Sequence, residues 1–212
     1  MNTKPAICLL LLLFLAQGPL SGQTRNYKRV CGGRASTVVY SESEVPEGTQ
    51  LYICIGSQKT WQVYDRNFNT LWWHFTDSSK KSDLTYRREG DEYVIEGVLG
   101  GKPVSQRIKS KGRLWCQNLP NVCGLIFSRR RKLDYEVFRP GTTNLYPMTA
   151  TLKGSRNWGG SKACRVYVTP AGSLAKFWHC NYYYDPETLV FSGYSAIEGK
   201  PPLPLTTWVL QK

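Results

Sequence analysis

The stretch Tyr93-Val-Ile-Glu-Gly-Val-Leu-Gly-Gly-Lys-Pro-Val-Ser-Gln-Arg-Ile108 decides the fold class. Residues 93–99 and 104–108 are short, β-branched runs parted by Gly100-Gly101. Such a break signals a hairpin, because tight hairpin turns need positive φ. Outward from it the same kind of segment recurs at 51–55, 61–64 and 70–75, then at 114–116, 124–127, 165–169, 174–179, 188–191 and 206–210. Their lengths and spacing predict a mainly antiparallel β-rich fold. Pro170-Ala171-Gly172 predicts a second turn. The one predicted helix is 40–48, kept short by Pro46.

The chain has 212 residues, 13% aromatic and 41% hydrophobic, enough for one sizeable core and too apolar for wholesale disorder. Residues 1–22 read as a secretory signal peptide: Lys4, an apolar run over 7–16, then small residues at Gly18, Ser21 and Gly22. The run is shorter than the roughly 17–25 residues of a spanning helix. The expected product is an exported single domain over 23–212, with a seam near 111–122. Six cysteines outlast the leader: Cys31, Cys54, Cys116, Cys123, Cys164 and Cys180. An even count in an exported chain predicts three disulfides, with 15 possible pairings. Two histidines and no pair of close Cys-x-x-Cys motifs leave no expected metal site. No cofactor is implied.

Formal charge is +13, and it is segregated. Between Gly97 and Tyr184 lie fifteen basic residues and two acids, Asp134 and Glu136. Ordinary solvated surfaces mix both signs, so a block of one sign points to a polyanionic partner such as RNA, an acidic glycan or an anionic membrane face. The tetrad Arg129, Arg130, Arg131 and Lys132, with Arg156 and Arg165, is the candidate contact set. Trp158 and Tyr183 are candidate stacking platforms beside it. Most of the other aromatics are expected in the core.

Enzyme chemistry has little support. Gly-x-Ser-x-Gly, His-Glu-x-x-His and phosphate-loop motifs are absent. His74 sits in the aromatic run Leu-Trp-Trp-His-Phe and reads as structural. His179 closes a predicted strand and is the better site candidate.

Ala163-Cys-Arg165-Val166, Leu174-Ala175 and His179 resemble the strand pair of small secreted fungal guanyl-specific ribonucleases. Asp134-Tyr-Glu136-Val-Phe138, the Gly159-Gly160-Ser161 turn, Val30-Cys31-Gly32 and 40–45 resemble further parts of that family. The resemblance implies a phosphate-binding role for Arg165 and a general-acid role for His179. No carboxylate stands at 144–147, where the family's general base falls. It therefore implies a ribonuclease-like effector that binds RNA without efficient cleavage. The alternatives are an active ribonuclease with Glu136 as base, and a secreted immune modulator or decoy that binds a host protein.

Overall fold

The computed structural model describes residues 22–118, 126–127, 131–172, 175, 178–197 and 205–211. The signal-peptide reading therefore falls almost wholly outside the described residues, as do Cys123, Arg129 and Arg130.

Among the described residues fifteen strands form: β1 (Gln23–Cys31), β2 (Arg34–Val45), β3 (Gly48–Ile55), β4 (Gln58–Tyr64) and β5 (Thr70–Asp77) come first. Then follow β6 (Ser82–Glu89), β7 (Glu92–Leu99), β8 (Lys102–Lys109), β9 (Leu114–Trp115) and β10 (Lys132–Phe138). The last five are β11 (Leu145–Trp158), β12 (Ser161–Pro170), β13 (Cys180–Tyr184), β14 (Phe191–Ile197) and β15 (Leu205–Leu210). They make one sheet in the order β8-β7-β6-β5-β4-β3-β2-β1-β15-β14-β13-β12-β11-β10-β9. The first and last strands pair in its middle, Tyr27 opposite Leu210 through Cys31 opposite Thr206. Pairing is antiparallel except between β9 and β10.

A sheet this wide must curl, because each strand twists against its neighbour. Alternation sorts the side chains into two cores. Tyr27, Val38, Tyr40, Leu51, Tyr135, Val166 and Tyr184 fill the first. Trp73, Phe75, Tyr86, Tyr93 and Ile95 close over Trp115 and Phe138 in the second. Strand β10 is thus covered on both sides, sending Leu133 and Tyr135 into one core and Phe138 into the other. The sheet is a roll whose outer turn, β5–β8, overlaps β9 and β10.

The antiparallel β reading holds, with local corrections. The predicted helix over 40–48 is the end of β2 and its turn into β3, with Tyr40 opposite Ile53 and Val45 opposite Gly48. Val38 and Tyr40 are buried at a period of two, which suits a strand and not a helix. Gly48 turns there at φ 150, where a Cβ would lie 2.1 Å from the Tyr64 carbonyl oxygen. Ile126 and Phe127 are helical rather than extended. Trp178 and His179 precede β13 instead of lying in it. Residues 185–190 are a loop because the Asp185 carboxylate accepts from the backbone of Glu187 and Thr188.

Among the described residues no disulfide joins Cys31, Cys54, Cys116, Cys164 and Cys180 to one another, and Cys123, the sixth member of the expected set, lies outside them. Register puts Cys31 on the inner face with Tyr27, and Cys54 on the outer face with Tyr52. Cys116 and Cys180 are buried in the first core. Among the described residues no helix is long and apolar enough to cross a membrane.

Candidate anion-binding face

Strands β11, β12, β13, β14, β15 and β1 are consecutive in the sheet, and none contains Asp or Glu. Their cations are Lys153, Arg156, Lys162, Arg165, Lys28, Arg25 and Arg29. Arg25 and Arg29 share the inner side of β1 with Tyr27, and Arg25 is paired with Glu42 of β2 at 3.2 Å. The acids lie off these six strands. Glu89 and Glu96 hold Arg87, while Glu89 and Glu92 hold Arg107. Lys109 lies 3.9 Å from Asp91, and Lys132 lies 3.1 Å from Asp134. The basic block of the sequence is therefore divided by the fold: Arg107, Lys109 and Lys132 have carboxylate neighbours. Among the described residues no carboxylate reaches Arg156 or Arg165. Strand β1 adds Lys28 to the acid-free side, although it stands far from the basic block along the chain.

Register gathers the candidate residues on one face. Val166, Val168, Cys180 and Tyr184 point into the first core. Arg165 and Tyr183, paired across β12 and β13, therefore point outward. Arg156 is opposite Ala163, two residues before Arg165 and on the same face. The β11–β12 hairpin then folds its tip over the neighbouring strands. Trp158 stacks on Tyr183 with ring centroids 3.9 Å apart at 8°. Its indole lies over Gly193, where an added Cβ would be 2.2 Å from Nε1. Glycine at 193 is what lets the ring lie flat on the sheet.

This changes the part assigned to the aromatics. Tyr183 is 2% exposed and covered by Trp158, so it offers no free ring. Its hydroxyl is 3.3 Å from the Ser195 hydroxyl. The pair fixes the hairpin that carries Arg156.

His179 is exposed, with its ring 5.2 Å from that of Tyr167. It shares the outer side with Arg165. Glu136 is not part of that group: it is 0% exposed between the two cores. Its Oε1 accepts from the Tyr93 and Ser110 hydroxyls, each at 2.6 Å, and Oε2 accepts from the Lys111 backbone. A carboxylate so enclosed cannot take a proton from a substrate at His179. His74 is a better-organised histidine than the sequence suggests. Its Nε2 is 2.7 Å from Asp83 Oδ1, and its ring stacks on Trp61. Asp83 lies on the next strand, so only pairing reveals it.

No protein-family model matches the chain, and no curated protein matches it. Among solved structures, the chain is similar to a β-barrel-like protein of domain of unknown function DUF1849 from Brucella abortus. The TM-score is 0.62 at 10% identity, over 92% of this chain and 98% of that one. At that identity the likeness shows the fold alone. It overturns the resemblance to guanyl-specific ribonucleases. Residues 161–170 are one strand of a rolled sheet of fifteen described strands, and most of the predicted partner strand over 174–179 lies outside the described residues.

Proposed function

We propose that this chain is a non-catalytic binding protein that works outside the cytoplasm and holds an acidic polysaccharide against the outer face of β11–β13. The observation that carries this reading is the run of six adjacent strands without a carboxylate, from which Arg156 and Arg165 project unneutralised. Like charges concentrated without counter-charges weaken a compact domain unless an anion neutralises them. Guanidinium groups bind sulfate or carboxylate in a two-pronged fashion, which suits a glycan chain. Single-stranded RNA is the poorer fit, since sequence-tolerant RNA binding uses open aromatic platforms, and Trp158 and Tyr183 stack on each other. The leader-like residues 1–22 support an extracytoplasmic setting.

Titration with heparin at rising salt tests this. Affinity should fall steeply with salt, and Arg156→Glu with Arg165→Glu should weaken it by about tenfold or more. Tighter binding of single-stranded RNA than of heparin would overturn the choice of ligand. Absence of heparin binding at low salt would defeat the reading and favour a protein partner.

A further inference from the structure

The free edge of the sheet lies far from Arg165 in strand order, apart from the outer face of β11–β13. Strand β8 pairs with β7 on one side and with no described strand on the other. Beside that edge lies a groove of about 630 Å³, walled by 106–109 on one side and 143–146 on the other, with Lys111 beside them. A pocket on the face of a sheet is lined by every second residue. Here each wall is four consecutive residues, so the main chain itself forms part of it. Leu145 and Tyr146 pair with Phe138 and Val137 on one side, while pairing to β12 begins only at Met148. The β8 wall is thus a strand edge without a described neighbour, while in the other wall the Asn144 carbonyl already accepts from Arg139 N–H and its N–H donates to Thr142 Oγ1. Four residues of β8 give it a length of about 13 Å.

We propose that this groove takes up an extended acidic peptide of a partner protein as an added strand along β8. Main-chain hydrogen bonds to an exposed edge supply affinity in such additions, and alternate side chains supply selectivity. Charge chooses the occupant. Arg107, Lys109 and Lys111 line the groove and no carboxylate does. The same lysines oppose a second copy of this chain, whose edge would carry equal charge, and Pro103 blunts the far end of the strand. Register dictates the pattern of the guest. Arg107 and Lys109 lie on the outer side, while Ile108 packs with Leu145 against the second core. An added strand would alternate acidic residues, facing Arg107 and Lys109, with apolar ones facing Ile108 and Leu145. The existing partners of Arg107 are 40% and 41% exposed carboxylates, weak enough to share it.

The test uses the peptide Glu-Val-Glu-Val-Glu-Val, an analogue N-methylated at alternate residues, and Lys-Val-Lys-Val-Lys-Val, with the full chain. The acidic peptide should bind about tenfold or more tightly than the N-methylated one, which keeps the side chains but loses backbone donors. Lys109→Glu with Lys111→Glu should reverse the preference towards the basic peptide. Arg156→Glu with Arg165→Glu should leave peptide affinity unchanged, which separates this site from the polysaccharide face. Equal binding of the N-methylated peptide, no saturable binding, or concentration-dependent dimerisation blocked by Lys109→Glu would each overturn the assignment.

Discussion

The Tyr93 hydroxyl donates to Glu136 Oε1 at 2.6 Å and ties the outer turn of the roll to the inner one. Tyr93 belongs to β7 and Glu136 to β10, strands at opposite ends of the sheet order. Burial, followed by the hydrogen bond to Glu136, pushes the Tyr93 phenol well above its usual range, so it stays a donor. Glu136→Ala would leave the hydroxyls of Tyr93 and Ser110 and the Lys111 N–H without their acceptor. We expect a loss of about 3 kcal/mol, and about 1–2 kcal/mol for Tyr93→Phe. Urea midpoints of both variants and the double variant check this, and the two losses should not add.

Gly193→Ala should disrupt the outer face without touching either core. Its Cβ would meet Trp158 Nε1 at 2.2 Å and the Trp208 carbonyl oxygen at 2.2 Å. The expected result is a changed near-ultraviolet circular dichroism signal from the displaced indole, with a stability loss of about 1–3 kcal/mol. An unchanged aromatic signal would mean that Trp158 does not lie on Gly193.

Asp77 should make the turn from β5 into β6 acid-sensitive. Burial alone would raise its pKa, but hydrogen bonds from Ser79, Gln58 and Ser57 outweigh it and hold the carboxyl at about 2, against 3.8 ordinarily. A depressed pKa in the folded state favours folding above the unfolded value. The contribution, of order 2 kcal/mol, is therefore full above about pH 4 and disappears as pH falls through about 2. Asp77→Asn should accordingly destabilise the protein at neutral pH, and the gap to wild type should narrow towards about pH 2. A gap independent of pH would contradict this.

The cysteines should divide by accessibility. Cys116 is 1% exposed, and burial drives its thiol far above the usual range, so little thiolate exists to react. Cys54, partly exposed on the outer face, should alkylate readily in the native protein. Peptide mapping after brief iodoacetamide treatment should find Cys54 modified and Cys116 protected until denaturant is added.

Much of the strand content could be read directly because β-structure announces itself locally. The runs flanking Gly100-Gly101 became β7 and β8 across a two-glycine turn. The alternation that makes 38–45 a strand was also present, although 40–48 read as a helix that Pro46 kept short. Strand 132–138 does alternate, Lys132-Leu-Asp134-Tyr-Glu136-Val137, but it was read only through the ribonuclease resemblance, and the pattern carries no sign that Glu136 is buried on the second face.

The candidate residues were harder to place, because a face is a property of register. Sequence identified Arg156, Arg165, Trp158 and Tyr183 individually, and the pairing of β11, β12 and β13 put them together. It could not foresee that Trp158 would spend its ring on Tyr183, or that Glu136 would be enclosed by residues 43 and 26 positions away. It also grouped Arg107 and Lys109 with the other cations, although the hairpin beside them supplies carboxylates.

Side-chain alternation, turn residues and charge are all local or additive, so an antiparallel β protein with an excess of positive charge is legible along the chain. That one sheet rolls over itself, that its first and last described strands meet in the middle, and which cations lack a carboxylate emerge with folding. Those outcomes depend on contacts between residues more than a hundred positions apart, such as Tyr27 with Leu210, and a linear pattern carries no record of them.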